Sequence, residues 1–152
     1  MQRFLRAVSE ATEMEYRYLE QYVRYLLELA LRDYGSLQYR PSTLAAGCLL
    51  LSRFILAGAA GSWCGQWVPH RLWSTTTQHY TFHSAVALKQ CGKYLYNLVS
   101  SDSQARKSIP FKKYGDRRRK CVSKFTVPAL DERIFGSDFS CPVPSNWLPR
   151  GY

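Results

Sequence analysis

His79 and His83 stand four residues apart, the step at which two imidazoles on one helix face can share a zinc ion, and His70 lies just upstream. A zinc site needs a third and a fourth ligand, and no Asp, Glu or Cys falls in the same predicted helix. The pair is therefore not read as a zinc site. The five Cys, at 48, 64, 91, 121 and 141, are odd in number and contain no Cys-x-x-Cys pair. That pattern fits free thiols in a reducing compartment better than a disulfide framework or a four-Cys zinc site. Nucleophilic chemistry has as little support. There is no Gly-x-Ser-x-Gly, no Gly-rich phosphate loop, and no Cys flanked by a His and an acid. Asp131, Glu132 and Asp138 fall near the C-terminus, and the carboxylates of the first predicted helix face solvent. These residues point away from an enzyme and call for no cofactor or metal.

The strongest chemical signal is charge. Eleven Lys and Arg stand against two Asp between Lys89 and Lys124, which accounts for +9 of a net +10. The densest part is Arg117-Arg118-Arg119-Lys120, with Arg106, Lys107, Lys112 and Lys113 before it. Such a run serves as an import signal, as a surface for nucleic acid or phosphate, or as a solvated helix end. Few aromatics are interleaved, only Phe111 and Tyr114, whereas single-strand binders stack bases on aromatic rings. Gly115 is expected to stop the last helix just before the run and leave it mobile.

The elements that position these residues are read from periodicity. Glu13 to Asp33 places Tyr16, Leu19, Val23, Leu26, Leu27, Ala30 and Leu31 at helical steps. Thr12 with Glu15 forms a capping box, and Gly35 supplies the stop. Leu44 to Gly61 is an 18-residue apolar stretch whose one charge is Arg53. A central charge costs a membrane span about 2.5–3.5 kcal/mol. Pro41-Ser42-Thr43 also suits the first turn of a soluble helix, so Ser42 to about Ala57 is predicted as a helix buried on all sides. Ala46 and Gly47 then mark a close approach to a neighbouring helix. Gly58 to Pro69 reads as a loop, with Trp63 and Trp67 packing back. His70 to Tyr80 is a weaker helix. Ser84 to Ser100 is amphipathic, with Val86, Leu88, Cys91, Leu95, Leu98 and Val99 inward. A last helix runs from Ile109 to about Lys120. Met1 to Glu15 carries three acidic residues and no apolar core, so it is not expected to be a secretory signal.

Tyr25-Leu26-Leu27-Glu28-Leu29, Asp33-Tyr34 and Tyr39-x-Pro41-Ser42-x-x-Ala45-Ala46 resemble the first two helices of the C-terminal repeat of A- and B-type (mitotic) cyclins. Phe4-Leu5-Arg6 is similar to the linker entering that repeat. Gln78-His79-Tyr80, Lys113-Tyr114, a basic run and Val122-Ser123 follow in the family's order. The resemblance covers about residues 4 to 125. It implies a regulatory subunit that partners a cyclin-dependent protein kinase, without catalysis of its own. In that family a first cyclin box makes most of the kinase contact, and none of that box's residues is found in this chain. The resemblance also implies a small phosphate pocket in B-type members, built from a linker Arg, a His and a Lys. Arg6 matches the linker Arg and Arg24 the Lys. The His position falls at Glu20 or Leu19, so a plain Arg24–Glu20 surface pair is the competing reading.

The expected fold is all-α: a single five-helix cyclin-type bundle around a central hydrophobic helix, with an irregular C-terminal tail. Residues 1–12 would be a linker, 13–124 the repeat, and 125–152 a Pro-rich, partly ordered tail. The expected role is a cyclin in cell-cycle control, intracellular in the nucleus or cytoplasm, with phosphorylated regulators as further partners and no membrane. The alternative is a basic helical module that binds nucleic acid.

Overall fold

The computed structural model describes residues 13–59, 72–101, 107–130 and 132–135. Arg6, the Thr12–Glu15 capping box, Trp63, Trp67, His70, Arg106 and the chain after Phe135 lie outside what it describes.

Among the described residues five α-helices carry the fold: α1 (Glu13–Ala30), α2 (Pro41–Ala59), α3 (Thr75–Thr81), α4 (Lys89–Ser100) and α5 (Ile109–Tyr114). Short 3-10 turns at Tyr34–Gln38, Arg117–Arg119, Val122–Lys124 and Glu132–Phe135 link or follow them, and no strand occurs among the described residues. The all-α expectation holds.

The core is built around α2. Every residue from Ala46 to Ser52 is buried, so this helix is enclosed on all sides, with α1 against one flank and α4 against another. Arg53, the charge inside the apolar stretch, lies at the edge of the core. Its guanidinium Nη1 donates to the Leu72 carbonyl at 3.0 Å and to the Thr77 hydroxyl at 3.3 Å, tying α2 to the start of α3. Hydrogen-bonding the charge is what makes it tolerable inside a mostly apolar helix. No helix among the described residues is long and apolar enough to cross a membrane.

α1 buries Tyr16, Leu19, Val23, Leu26 and Ala30 as its periodicity predicts, with Leu27 half-buried against the cluster. It also buries Tyr22 and Tyr25, which the reading of the sequence left out. Leu31, expected inward, is 74% exposed. The reason is where the helix ends. Arg32 and Asp33 donate to Leu29 and Ala30, three residues back, and this tighter turn takes Leu31 off the 3.6-residue stripe. Gly35 is required by packing rather than by a left-handed stop. A Cβ there would lie 2.9 Å from the Asp33 carboxylate and 3.1 Å from the Tyr94 ring. The Tyr94 hydroxyl donates to that carboxylate, joining the end of α1 to α4.

Three predicted helices differ in extent. The continuous His70–Tyr80 helix is broken at Trp73-Ser74, where Ser74 is extended and its hydroxyl caps α3 by accepting from Thr77 N–H at 3.2 Å. The helix expected from Ser84 starts at Lys89. Ser84 does accept from Ala87 N–H at 3.2 Å, but 85–88 form turns, and Val86 is 48% exposed instead of inward. Leu88, Cys91, Leu95 and Val99 are buried as expected, and Leu98 is half-buried. The last helix, capped by Ser108 with Pro110 in its first turn, stops at Tyr114 with Gly115 as its C-cap, short of Lys120.

Past Lys124 the chain stays against the bundle as far as it is described. The Phe125 ring stacks near Tyr22, the Tyr96 hydroxyl donates to the Pro128 carbonyl at 3.1 Å, and Ile134 and Phe135 are fully buried.

Candidate functional site

Gln21, Arg24 and Glu28 are spaced at three and four residues, so they share one face of α1. This is the face onto which α5 and the turns after it fold. Lys120 and Cys121 are two consecutive left-handed residues, at φ 61° and 53°. They reverse the chain so that Val122–Lys124 packs on α1, while Arg119 and Lys120 reach the Gln21 and Tyr18 side chains of that helix. Arg117–Arg119 forms a 3-10 turn, Arg119 sits 5.5 Å from the Tyr114 ring centroid, and Lys120 lies 6.0 Å from that of Tyr18.

Glu28 is the hub of this face. Its Oε1 accepts from Lys113 Nζ at 2.7 Å and from the Tyr114 hydroxyl at 2.8 Å. Burial pushes its carboxyl up, but the Lys113 and Tyr114 hydrogen bonds and the charges of Lys113 and Arg119 outweigh that and hold it below the usual carboxylate range. The Tyr114 hydroxyl is pushed up to about 12, first by burial and then by the Glu28 hydrogen bond and charge. Two turns earlier, Arg119 Nη1 reaches Gln21 Oε1 at 3.4 Å.

Arg24 pairs with Glu20 at 2.7 Å, the i,i+4 pair that competed with a phosphate pocket. Its pocket partner Arg6 lies outside the described residues. Lys112 and Lys113 close α5, and together with Arg118 and Arg119 they line an open cleft of about 540 Å³, alongside Ile109 and Asp116. Arg117 and Lys120 lie beside the cleft rather than in its lining. Reading the sequence treated Arg24 and the basic run as separate candidates. Their convergence on one face of α1 follows from the left-handed reversal, which no local pattern announces.

Of the other candidates, His79 is exposed rather than packed in the core, and its ring neighbours Tyr80 and Phe82 are 54% and 88% exposed. The His79 ring lies against Tyr80 and Phe82, at 5.7 and 6.3 Å between centroids. The His83 carbonyl accepts from the Trp73 indole at 3.0 Å. No three of His, Cys, Asp and Glu come together among the described residues in a way that could hold a metal ion. Cys48, Cys91 and Cys121 are free thiols. Burial pushes the Cys91 thiol up to about 11 and Cys48 well above its ordinary range, so neither is a nucleophile at neutral pH.

The chain aligns with a known family along most of its length. Residues 1–128 match the cyclin C-terminal domain. The chain is 31% identical to Cyclin-A1-1 of Arabidopsis thaliana over 89% of its own length, and 30% identical to putative cyclin-A3-1 of the same plant, also over 89%. It is 31% identical over 87% of its length to the G2/mitotic-specific cyclin C13-1 of Daucus carota. It spans 27%, 36% and 36% of those three relatives. No solved structure matches. Tyr25-Leu-Leu-Glu28-Leu and Lys113-Tyr114, far apart in sequence and both read as family-like, are the segments that Glu28 joins in space. The chain belongs to the cyclin C-terminal domain family, with A-type and other mitotic cyclins as its relatives.

Proposed function

We propose that this chain is the C-terminal repeat of a regulatory cyclin that binds a cyclin-dependent protein kinase in cell-cycle control. It catalyses nothing itself and works inside the cell, in the nucleus or cytoplasm. The observation that carries the reading is the match of residues 1–128 to the cyclin C-terminal domain, together with mitotic cyclins among its relatives. The chain corresponds to about a quarter to a third of those relatives, so its part is to complete the regulatory subunit rather than to make the main kinase contact. The test is phosphate transfer to a histone-type substrate by a cyclin-dependent kinase mixed with the purified 152-residue chain. The reading expects no activation by the chain alone, and robust activation would overturn it.

The nucleic-acid alternative gains nothing from the geometry. Tyr114, one of the aromatics near the basic run, is 1% exposed and offers no face for a base. Arg119 and Lys113 are engaged on α1. A pocket for phosphorylated regulators at Arg6 and Arg24 is not part of the reading, because Glu20 already holds Arg24.

A further inference from the structure

Lys112 and Arg118 both line the cleft formed by α5 and the Arg117–Arg119 turn, and neither has a carboxylate partner among the described residues. The other two cations of the lining are held in place: Lys113 by Glu28 of α1, and Arg119 by Gln21 of α1 and the Tyr114 ring of α5. Even with Lys113 balanced by Glu28 and one further charge set against Asp116, a surplus of positive charge remains in this small concavity. In the same lining Ile109 is 70% exposed, an aliphatic side chain beside cations that no described carboxylate pairs.

We propose that this cleft is a docking site for an acidic protein segment, one with Asp or Glu side chains set beside a single apolar residue. Carboxylates would pair with Lys112 and Arg118, and the apolar residue would cover Ile109. The anchored cations give the site a fixed shape, which lowers the ordering cost of binding. The exposed Ile109 edge is the reason for choosing a peptide with an apolar residue over a bare phosphate, which would leave that side chain uncovered. An aliphatic edge where a stacking platform would need an aromatic ring disfavours a nucleic-acid strand. This site goes beyond the kinase-regulating role, and its test needs no kinase.

The purified chain would be titrated against a fluorescent peptide of Glu and Asp around one Leu, with anisotropy read at about 0.15 M salt. Three further probes would be a Leu-free version, a phosphoserine version and a single-stranded oligonucleotide of equal charge. The exposed pair Lys112→Glu/Arg118→Glu should weaken the acidic peptide by about tenfold or more, and the neutral pair Lys112→Gln/Arg118→Gln by somewhat less. Arg32→Glu/Arg40→Glu removes the same charge at exposed positions outside the lining and should change affinity by less than about threefold. Ile109→Ser should weaken the Leu peptide and leave the Leu-free one unchanged. Thermal melting of each variant confirms that it is folded. Equal losses from the two charge-reversed pairs would reduce the site to diffuse net charge and overturn the proposal. So would tighter binding of the oligonucleotide, or binding of the phosphopeptide alone.

Discussion

A Cβ placed on Gly47 would lie 2.9 Å from Cys91 Sγ and 3.2 Å from Leu95 Cδ1, so α2 and α4 approach closely enough at this point that only glycine fits. The central helix is buried on every side here and has no room to shift away. Gly47→Leu is expected to overpack the contact and cost at least about 1–3 kcal/mol. Adding Cys91→Ala should recover part of that loss, because the two side chains compete for one volume. Urea unfolding of the single and double variants measures both effects. A Gly47→Leu protein that melts within about a degree of the parent would place this position outside the core.

Glu28 and Tyr114 make a pH-dependent tie between α1 and α5. The Glu28 carboxyl is held below its ordinary 4.5, so its stabilising contribution is present above that pH and is lost as the pH falls through the lowered value. Glu28 is more than a third exposed, and solvent screening keeps the contribution small, at about 1 kcal/mol. Glu28→Gln should therefore be less stable than the parent at pH 7, and the difference should shrink below pH 4.5. At the alkaline end the sign reverses. Tyr114 and Tyr25 are pushed up to about 12, so stability that is full below pH 10 should fall as the pH rises through 10 towards 12. Denaturant midpoints across the pH range check both limbs. A pH-independent gap between Glu28→Gln and the parent would show that the tie carries no charge.

Phe135 closes the open flank of α4. A Cβ on Gly92 would come within 2.5 Å of its ring, and the ring itself is fully buried. Phe135→Ala should cost about 3–5 kcal/mol, as expected for emptying a buried aromatic site. Chemical denaturation is the measurement, and a loss under about 1 kcal/mol would mean that the segment after Lys124 does not belong to the core.

Much of this fold can be read from residue patterns, because burial and periodicity are local properties. The α1 stripe, the enclosed α2 and the Gly47 approach each follow from residue type and spacing. What escaped depends on contacts distant in sequence or on one or two backbone angles. Leu31 and Val86 keep the helical period but sit where the helix has already ended or has not yet begun. Tyr22 and Tyr25 look amphipathic, and the Phe125 and Tyr114 rings that enclose them arrive from about ninety to a hundred residues away. At the candidate site, the composition of the basic run was legible, but its seating on α1 was not. That seating rests on left-handed Lys120 and Cys121, residue types with no preference for that conformation.

The central claim, that this chain serves as the C-terminal repeat of a kinase-regulating cyclin, is tested most directly by exchange. In Cyclin-A1-1 of Arabidopsis thaliana the stretch aligned with this chain, 27% of that protein, would be replaced by residues 1–152. The chimera would be purified and assayed for stimulation of phosphate transfer by a cyclin-dependent kinase, beside the parent cyclin and the isolated chain. The account predicts that the chimera binds and stimulates the kinase while the isolated chain does not. A chimera that is folded by thermal melting yet leaves the kinase at its basal rate would contradict it.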